Sequence, residues 1–462
     1  MINTDLPQFE SDLKEVINLF ENGDEMNIRH RFSNTDNKIV NTITVNGKVY
    51  AYGNLVKGTD NPLIKKRLTK RYAKLSLYKA LVAYTGVSQP WGALTGIRPT
   101  KLAYDNLENE GEFKDFFTST MKVSEQKTLL IEQILNTQKG VYCKNSENTD
   151  LFVFIPFCPS RCKYCSFISA DIKGAKKHVK EYVQTLVNEI KESAPLIKNL
   201  RSIYVGGGTP ISLEIEYLES ILIEIDKINT GVEFTVEAGR PDRITPEVLD
   251  LLEKYRVTRI CINPQTFNDK TLKAIGRNHT AQAVIDSFNL AKGRFVVNMD
   301  LIAGLEDESF EDFKYSLDKA IELSPENITV HTLCVKRGSY LSNDNEKVQT
   351  QDVTKMVDYA YESLIKNGYM PYYLYRQKYM AGNLENVGYC KQGTVCTYNV
   401  DVMEEITDVV ACGANAISKK VNFEQNRIER EASPKDVATY LSKIEVIMDK
   451  KRQLFCQKET NI

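Results

Sequence analysis

The sequence predicts an α/β fold built on a partial, TIM-like (β/α)6 barrel, with an N-terminal α+β domain before it and a mostly helical C-terminal domain after it. Three observations carry this prediction. First, from Leu151 onward short apolar runs rich in β-formers alternate with helical stretches, six strands with five helices between them. Second, the repeat of strand and helix implies a parallel sheet with right-handed crossovers. Third, every chemically suggestive motif follows directly on one of those strands, where parallel α/β folds place their sites.

The strand candidates are Leu151–Ile155, Ser202–Val205, Phe234–Ala238, Arg259–Asn263, Phe295–Leu301 and Ile328–Thr332. The helices between them are Ala175–Ser193, Glu214–Ile228, Pro246–Tyr255, Ala281–Lys292 and Phe310–Leu323. Before them, residues 1–85 read as a small α+β domain. Phe9–Phe20 has helical spacing, and Ile39–Tyr52 is a hairpin turning at Asn46-Gly47, the strong hairpin dipeptide. One helix is expected over 63–85, basic in its first half through Lys65, Lys66, Arg67, Lys70, Arg71 and Lys74. That run reads first as a solvated face and second as a dock for an acidic partner. Residues 86–148 form a helical connector that includes an ordered Gly- and Pro-containing loop, PWGALTGIRPTKL, at 90–102. The barrel spans 149–338 and the C-terminal domain 339–462, with helices at Asp352–Asn367 and Pro434–Met448.

Composition narrows the classes. The 462 residues are 42% hydrophobic and 26% charged, with a net charge of −1, so no global field favours nucleic acid or an anionic membrane. No apolar run is long enough to span a bilayer, and the first residues are polar and acidic rather than signal-like. Ten cysteines in such a chain fit a reducing cytoplasm, where clustered thiols serve metals or catalysis.

The central motif is Phe152–Phe167, FVFIPFCPSRCKYCSF, with Cys158, Cys162 and Cys165 spaced C-x3-C-x2-C. Three thiolates on one loop suit a cubane iron–sulfur cluster with one iron left open. A structural zinc site completed by a distant ligand, or three buried thiols, are the alternatives that the triplet leaves standing. The next strand ends in Gly206-Gly207-Gly208-Thr209-Pro210, a turn with no side chain to keep a ligand away and no Walker lysine. Later strand ends carry Glu237 and Arg240, then Asn263 and Gln265 with Arg277 beyond, then Asn298 and Asp300. For each of these a surface ion pair is an equal reading. His178 and His279 read as structural. His331 also reads first as structural, but it is the best functional candidate of the three, at the end of the sixth strand and facing the presumed cavity.

Together these motifs resemble those of radical S-adenosylmethionine enzymes. IPFCPSRCKYCSF with GGGTP and Leu301–Leu305 is similar to the oxygen-independent coproporphyrinogen III oxidase (dehydrogenase) family. PWGALTGIRPTK, EAGRPD and Asn383–Tyr389 resemble its HemZ-like branch. The resemblance implies a 4Fe-4S cluster on Cys158, Cys162 and Cys165, with S-adenosylmethionine chelating the open iron. It places Phe152, Tyr164, Gly207, Gly208, Thr209, Glu237, Gln265, Arg277, Asp300 and Cys334 at the cofactor. It implies oxidative decarboxylation of coproporphyrinogen III to protoporphyrinogen IX in heme biosynthesis, fed by an electron donor such as a flavodoxin or ferredoxin. Arg161, Arg240, Arg243 and Arg337 are the candidate partners for propionates, and no catalytic acid or base is assigned. Phe167 stands where coproporphyrinogen-oxidising members carry a further cysteine, a feature shared with heme chaperones of the family. A chaperone that binds heme without turnover is therefore one alternative, and a radical enzyme acting on RNA or another substrate a second. Cys390, Cys396 and Cys412 read as buried thiols rather than an auxiliary cluster.

Overall fold

The computed structural model describes residues 2–35, 38–56, 61–95, 98–165, 170–172, 174–334, 350–377 and 380–456. They form two compact units, Met1–Glu132 with Tyr375–Glu385, and Gln133–Leu374 with Asn386–Ile462.

In the first unit β1 (Ile2–Thr4) lies parallel to β2 (Ile28–Thr35), and β3 (Lys38–Val45) and β4 (Lys48–Leu55) follow antiparallel. The β3–β4 turn has φ of 46° at Asn46 and 86° at Gly47, the left-handed pair that the dipeptide favours. His30 locks the sheet from within, 2.8 Å from both Thr4 Oγ1 and Asn41 Oδ1. Two helices, α1 (Glu10–Ile17) and α2 (Pro62–Thr85), bury Leu13, Val16, Leu75, Leu77 and Leu81 in this unit's core. Asn61 caps α2 by accepting from Leu63 N and Ile64 N, with Pro62 in the first turn. Lys65, Lys66 and Arg67 are exposed, as a solvated face would be, whereas Lys74 is buried and donates to Thr95. The loop at 90–102 is anchored by Trp91, whose Nε1 donates to Glu385 at 2.6 Å, and Glu385 also pairs with Lys127 at 2.6 Å. The structure starts α3 (Pro99–Glu110) inside that stretch, because Pro99 fits a helix's first turn. The chain passes to the second unit through α4 (Glu125–Thr137).

The second unit holds the predicted barrel. Its strands β5 (Asn148–Ile155), β8 (Asn199–Gly207), β9 (Glu233–Val236), β10 (Arg259–Cys261), β11 (Val296–Ala303) and β12 (Asn327–Thr332) lie side by side and parallel. Between β5 and β8 sit two short strands, β6 (Phe157–Cys158) and β7 (Ala170–Asp171). The helices that follow β7 onward are α5 (Lys176–Ser193), α6 (Ile215–Ile228), α7 (Pro246–Lys254), α8 (Asp269–Ala274), α9 (Ala281–Ala291) and α10 (Phe310–Leu323). Their apolar stripes, such as Val179, Val183, Leu186 and Ile190 on α5, face the core.

The C-terminal region is built of helices and adds strands that the sequence reading did not place. Besides α11 (Thr350–Lys366), α12 (Thr397–Glu404), α13 (Val437–Ser442) and α14 (Ile444–Cys456), it contributes five strands to the barrel's own sheet. β13 (Met370–Tyr375) and β14 (Asn386–Cys390) extend the β12 edge, with β14 antiparallel to β12. β15 (Asp408–Cys412) runs parallel to β5 and carries the antiparallel β16 (Ile417–Asn422) and β17 (Arg427–Ala432). The sheet thus has eleven strands, and pairing both barrel edges hides backbone donors that would otherwise attract other chains.

A buried ion pair ties the last helices to this sheet. Glu189 on α5 accepts from Lys451 Nζ (2.7 Å), Tyr440 Oη (2.6 Å) and Gly413 N (2.7 Å), and both charged side chains are almost wholly buried. Lys451→Met leaves the Glu189 charge without its cation. The expected loss is about 3–5 kcal/mol, read as a lower urea midpoint. An unchanged midpoint would show that the Lys451–Glu189 pair adds nothing to stability. No described helix is long and apolar enough to cross a membrane.

Candidate active site

The cysteine loop leaves β5 and is gripped from two sides. On one side is the glycine turn that ends β8. Gly208 N donates to Ile155 O and Thr209 N to Phe157 O, both at 2.7 Å, and Thr209 Oγ1 lies 3.6 Å from Cys158 Sγ. A Cβ at Gly208 would overlap the Phe157 carbonyl and lie 3.0 Å from Cys158 Sγ, so only glycine permits this approach. On the other side is the turn after α8. Lys163 N donates to Ile275 O at 3.0 Å, and Gly276, at φ 80°, would place a Cβ 3.3 Å from Arg161 O. Cys165 N closes the loop's own turn on Cys162 O at 3.1 Å. Cys162 is buried, while Cys158 and Cys165 are half-buried.

Arg277 couples this loop to the barrel. Its guanidinium donates to Tyr164 Oη at 3.0 Å and to Gly239 O at 2.9 Å. Tyr164 packs on Leu272, Ile275, Ile302, Leu305 and Leu333. Burial pushes the Tyr164 hydroxyl well above the ordinary phenol range, so it stays a neutral acceptor for the arginine.

Two carboxylates occupy neighbouring strand ends. Glu237 accepts from Tyr204 Oη, and Asn263 Nδ2 lies 3.5 Å away. Asp300 accepts from Asn298 Nδ2 at 2.8 Å and lies 3.5 Å from His331 Nε2. Burial first, and then the Asp300 charge, raise the Glu237 carboxyl to about 7 against its hydrogen bonds with Tyr204 and Cys261. Burial acts on Asp300 too, but the His331 charge and hydrogen bond outweigh it and hold Asp300 below its usual value. At neutral pH this end of the barrel therefore holds one firmly ionised acid and one poised acid.

That poise has a sign. Because its folded pKa is raised, Glu237 keeps a proton that the unfolded chain has already lost. Stability therefore falls as pH climbs from the ordinary carboxyl range to about 7 and is flat above it. Glu237→Gln keeps an acceptor for Tyr204 and removes the titration. Relative to wild type it is expected to gain on the order of 3 kcal/mol between about pH 5 and about pH 8, measured by urea unfolding of the chain at each pH. Parallel pH profiles for the two proteins would rule the poise out.

Gln265 sits at φ 67° because its backbone bridges to β11. Its N donates to Asp300 O (2.8 Å), and its O accepts from Ile302 N (3.0 Å). Phe152 belongs to an aromatic stack, 5.9 Å from Tyr398, and Tyr398 lies 4.4 Å from Tyr204. Cys334 is half-buried two residues past β12. The structure thus joins the cysteine loop, the glycine turn, Tyr164 and Arg277 in one assembly. It joins Tyr204, Glu237, Asn263, Asp300 and His331 around the two carboxylates. Tyr204 and Tyr398 are additions. Tyr204 stands two residues before Gly206, on the same strand face, which is a readable signal, whereas nothing local marks Tyr398.

Several expectations are redrawn. Arg161 and Arg243 are exposed, but Arg240 is buried against Ser160 and Asp242 and is not offered to a substrate carboxylate. Arg337 and Phe167 lie outside the described residues. His279 is buried and its pKa is lowered to about 4 by burial and by Arg277, so it is neutral. His178 is half-buried in the first turn of α5. Cys390 and Cys396 lie around Arg259, whereas Cys412 lies by Lys451 and Ser193, so the three do not form one ligand set.

Among the described residues no group of three or more His, Cys, Asp or Glu converges on a point that could hold a single metal ion. A cubane asks for something else, since each thiolate binds a different iron. The loop fits that group. It carries three soft donors, its walls approach as closely as glycine allows, and Asn263 Oδ1 is buried without a partner beside acids able to take amino and hydroxyl groups.

Residues 152–320 match the Radical SAM superfamily. The fold and site define a radical S-adenosylmethionine protein, whose superfamily uses a 4Fe-4S cluster and S-adenosylmethionine. More narrowly, the chain belongs to the family of the oxygen-independent coproporphyrinogen-III oxidase-like protein HemZ. It is 38% identical to HemZ of Bacillus subtilis over 83% of this chain and 80% of that one. It is also 34% identical to the heme chaperone HemW of Lactococcus lactis, over 48% of this chain and 60% of that one. The coproporphyrinogen III oxidase HemN of Escherichia coli shares the fold, with a TM-score of 0.53 and 20% identity over 70% of this chain and 73% of that one.

Proposed function

We propose that the chain oxidatively decarboxylates propionate side chains of coproporphyrinogen III to vinyls, yielding protoporphyrinogen IX. The observation that carries the chemistry is the closure of the Gly208 turn onto the Cys158 sulfur, with Glu237 and Asp300 at the neighbouring strand ends. What supports the substrate class is the similarity to the coproporphyrinogen-III oxidase-like relative over most of both chains. Cys158, Cys162 and Cys165 would hold the cluster. Gly207, Gly208 and Thr209 would seat the methionyl end of S-adenosylmethionine through exposed backbone. Glu237 and Asp300 would take its amino and ribose groups, with Phe152, Tyr164, Gln265, Arg277 and Cys334 shaping the cavity. Bound there, the two groups would supply hydrogen-atom abstraction driven by one-electron reduction. Each of the two reacting propionates would lose a hydrogen atom, carbon dioxide and one electron, and the electron would pass to an acceptor. The Phe152–Tyr398–Tyr204 stack would form an apolar wall beside Glu237. The ten cysteines suit a reducing cytoplasm, where a flavodoxin or ferredoxin would donate electrons.

The similarity to heme chaperones favours a second reading, in which the chain binds heme and turns nothing over. Anaerobic incubation with S-adenosylmethionine, dithionite and coproporphyrinogen III separates the two. Mass spectrometry is expected to show product lacking two carboxyl groups. Stoichiometric heme binding with unchanged coproporphyrinogen would establish the second reading instead.

A further inference from the structure

Arg240 is one of the most buried cations in the second unit, 3% exposed, and it touches the cysteine loop. Its backbone ends the segment after β9, where Arg240 N donates to Ala238 O at 2.6 Å. Its side chain then turns toward the loop. Nη1 donates to Ser160 Oγ at 3.1 Å and Nε to Asp242 Oδ1 at 3.1 Å, while Nη2 has no partner among the described residues. Ser160 sits midway between Cys158 and Cys162 and in turn donates to Gly276 O at 3.4 Å. One guanidinium thus reaches the segment of loop that joins Cys158 to Cys162.

We infer that Arg240 is a positioning residue for the iron–sulfur cluster: it fixes the Cys158–Cys162 turn through Ser160, and its charge raises the cluster's reduction potential. This rests on the three cysteines being the ligands. A cubane with three thiolates carries one net negative charge, and reduction adds a second, so a nearby fixed cation favours the reduced state. Asp242 offsets part of that charge. Its side chain is 26% exposed, however, and water screens it, whereas Arg240 is shielded from water. An arginine suits this task because two separate nitrogens of its rigid fork meet Asp242 and Ser160, where a lysine offers a single ammonium point.

The test compares wild type with Arg240→Gln, Arg240→Lys and Ser160→Ala, each reconstituted anaerobically with iron and sulfide. Midpoint potentials come from titrations followed by electron paramagnetic resonance, and cluster retention from the rate of iron loss to a chelator. Arg240→Gln is expected to titrate at a lower potential than wild type and to lose iron several-fold faster. Arg240→Lys keeps most of the potential but loses iron faster. Ser160→Ala keeps the wild-type potential and also loses iron faster. A wild-type potential in Arg240→Gln overturns the inference. Should thermal unfolding show that Arg240→Gln does not fold, wild-type iron-loss rates in both other variants overturn it equally. A wild-type chain that takes up no iron rejects the ligand assignment instead.

Discussion

Cys162→Ser is expected to abolish reductive cleavage of S-adenosylmethionine, leaving below about 1% of wild-type 5′-deoxyadenosine and iron well short of a full cubane. Cys162 is the buried member of the trio, held by the turn that Cys165 N closes on Cys162 O. Serine preserves the size and the turn but is a poor ligand for iron. The backbone bonds to Ile275 and to the glycine turn do not involve the sulfur, so the loop stays in place. Iron analysis and anaerobic chromatography of the nucleoside product check this together. Full activity with a full complement of iron would remove Cys162 from the ligand set.

Gly208→Ala comes second in expected effect, with at least about a tenfold loss of cleavage rate. The argument is steric alone. Gly208 does not occupy the left-handed region, so alanine strains no dihedral there. The added methyl would instead overlap the Phe157 carbonyl and press on Cys158. Relief requires the turn to back away from the cysteine loop, lengthening the 2.7 Å bonds from Gly208 N and Thr209 N. The stability cost of such overpacking is about 1–3 kcal/mol, which the folded chain tolerates. A variant that is folded, iron-loaded and slow at cleavage is the expected result. Wild-type rates would show that the close approach has no part in seating the cofactor.

Much of this site was readable because the barrel is buried on both faces. Leu151–Ile155 is a continuous apolar run of strand length with the first cysteine three residues beyond it, and Phe295–Leu301 is a mostly apolar run that carries Asn298 and Asp300 toward its end. The cysteine triplet and the glycine turn are local in sequence, so their spacing carried their chemistry. What stayed hidden depends on distant segments. Asp408–Cys412 is a short apolar run that periodicity cannot separate from a helix, and only its pairing with β5 makes it a strand. Tyr398 reaches the Phe152 stack from a helix nearly 250 residues along the chain, with no local motif to announce it. Arg240 looked like a free cation for a carboxylate. Ser160 and Asp242 engage two of its three nitrogens and hold it buried, a fact that exists only once β9 and the cysteine loop are brought together. The Phe167 position, which bears on oxidase against chaperone, lies outside the described residues, so that choice belongs to chemistry.

The most direct measurement is therefore anaerobic 5′-deoxyadenosine formation by the iron-loaded chain, with and without coproporphyrinogen III. Cleavage that rises several-fold on adding the porphyrinogen, with one 5′-deoxyadenosine formed per carbon dioxide released, is the predicted result. No 5′-deoxyadenosine from a chain that holds its full cluster would contradict the account.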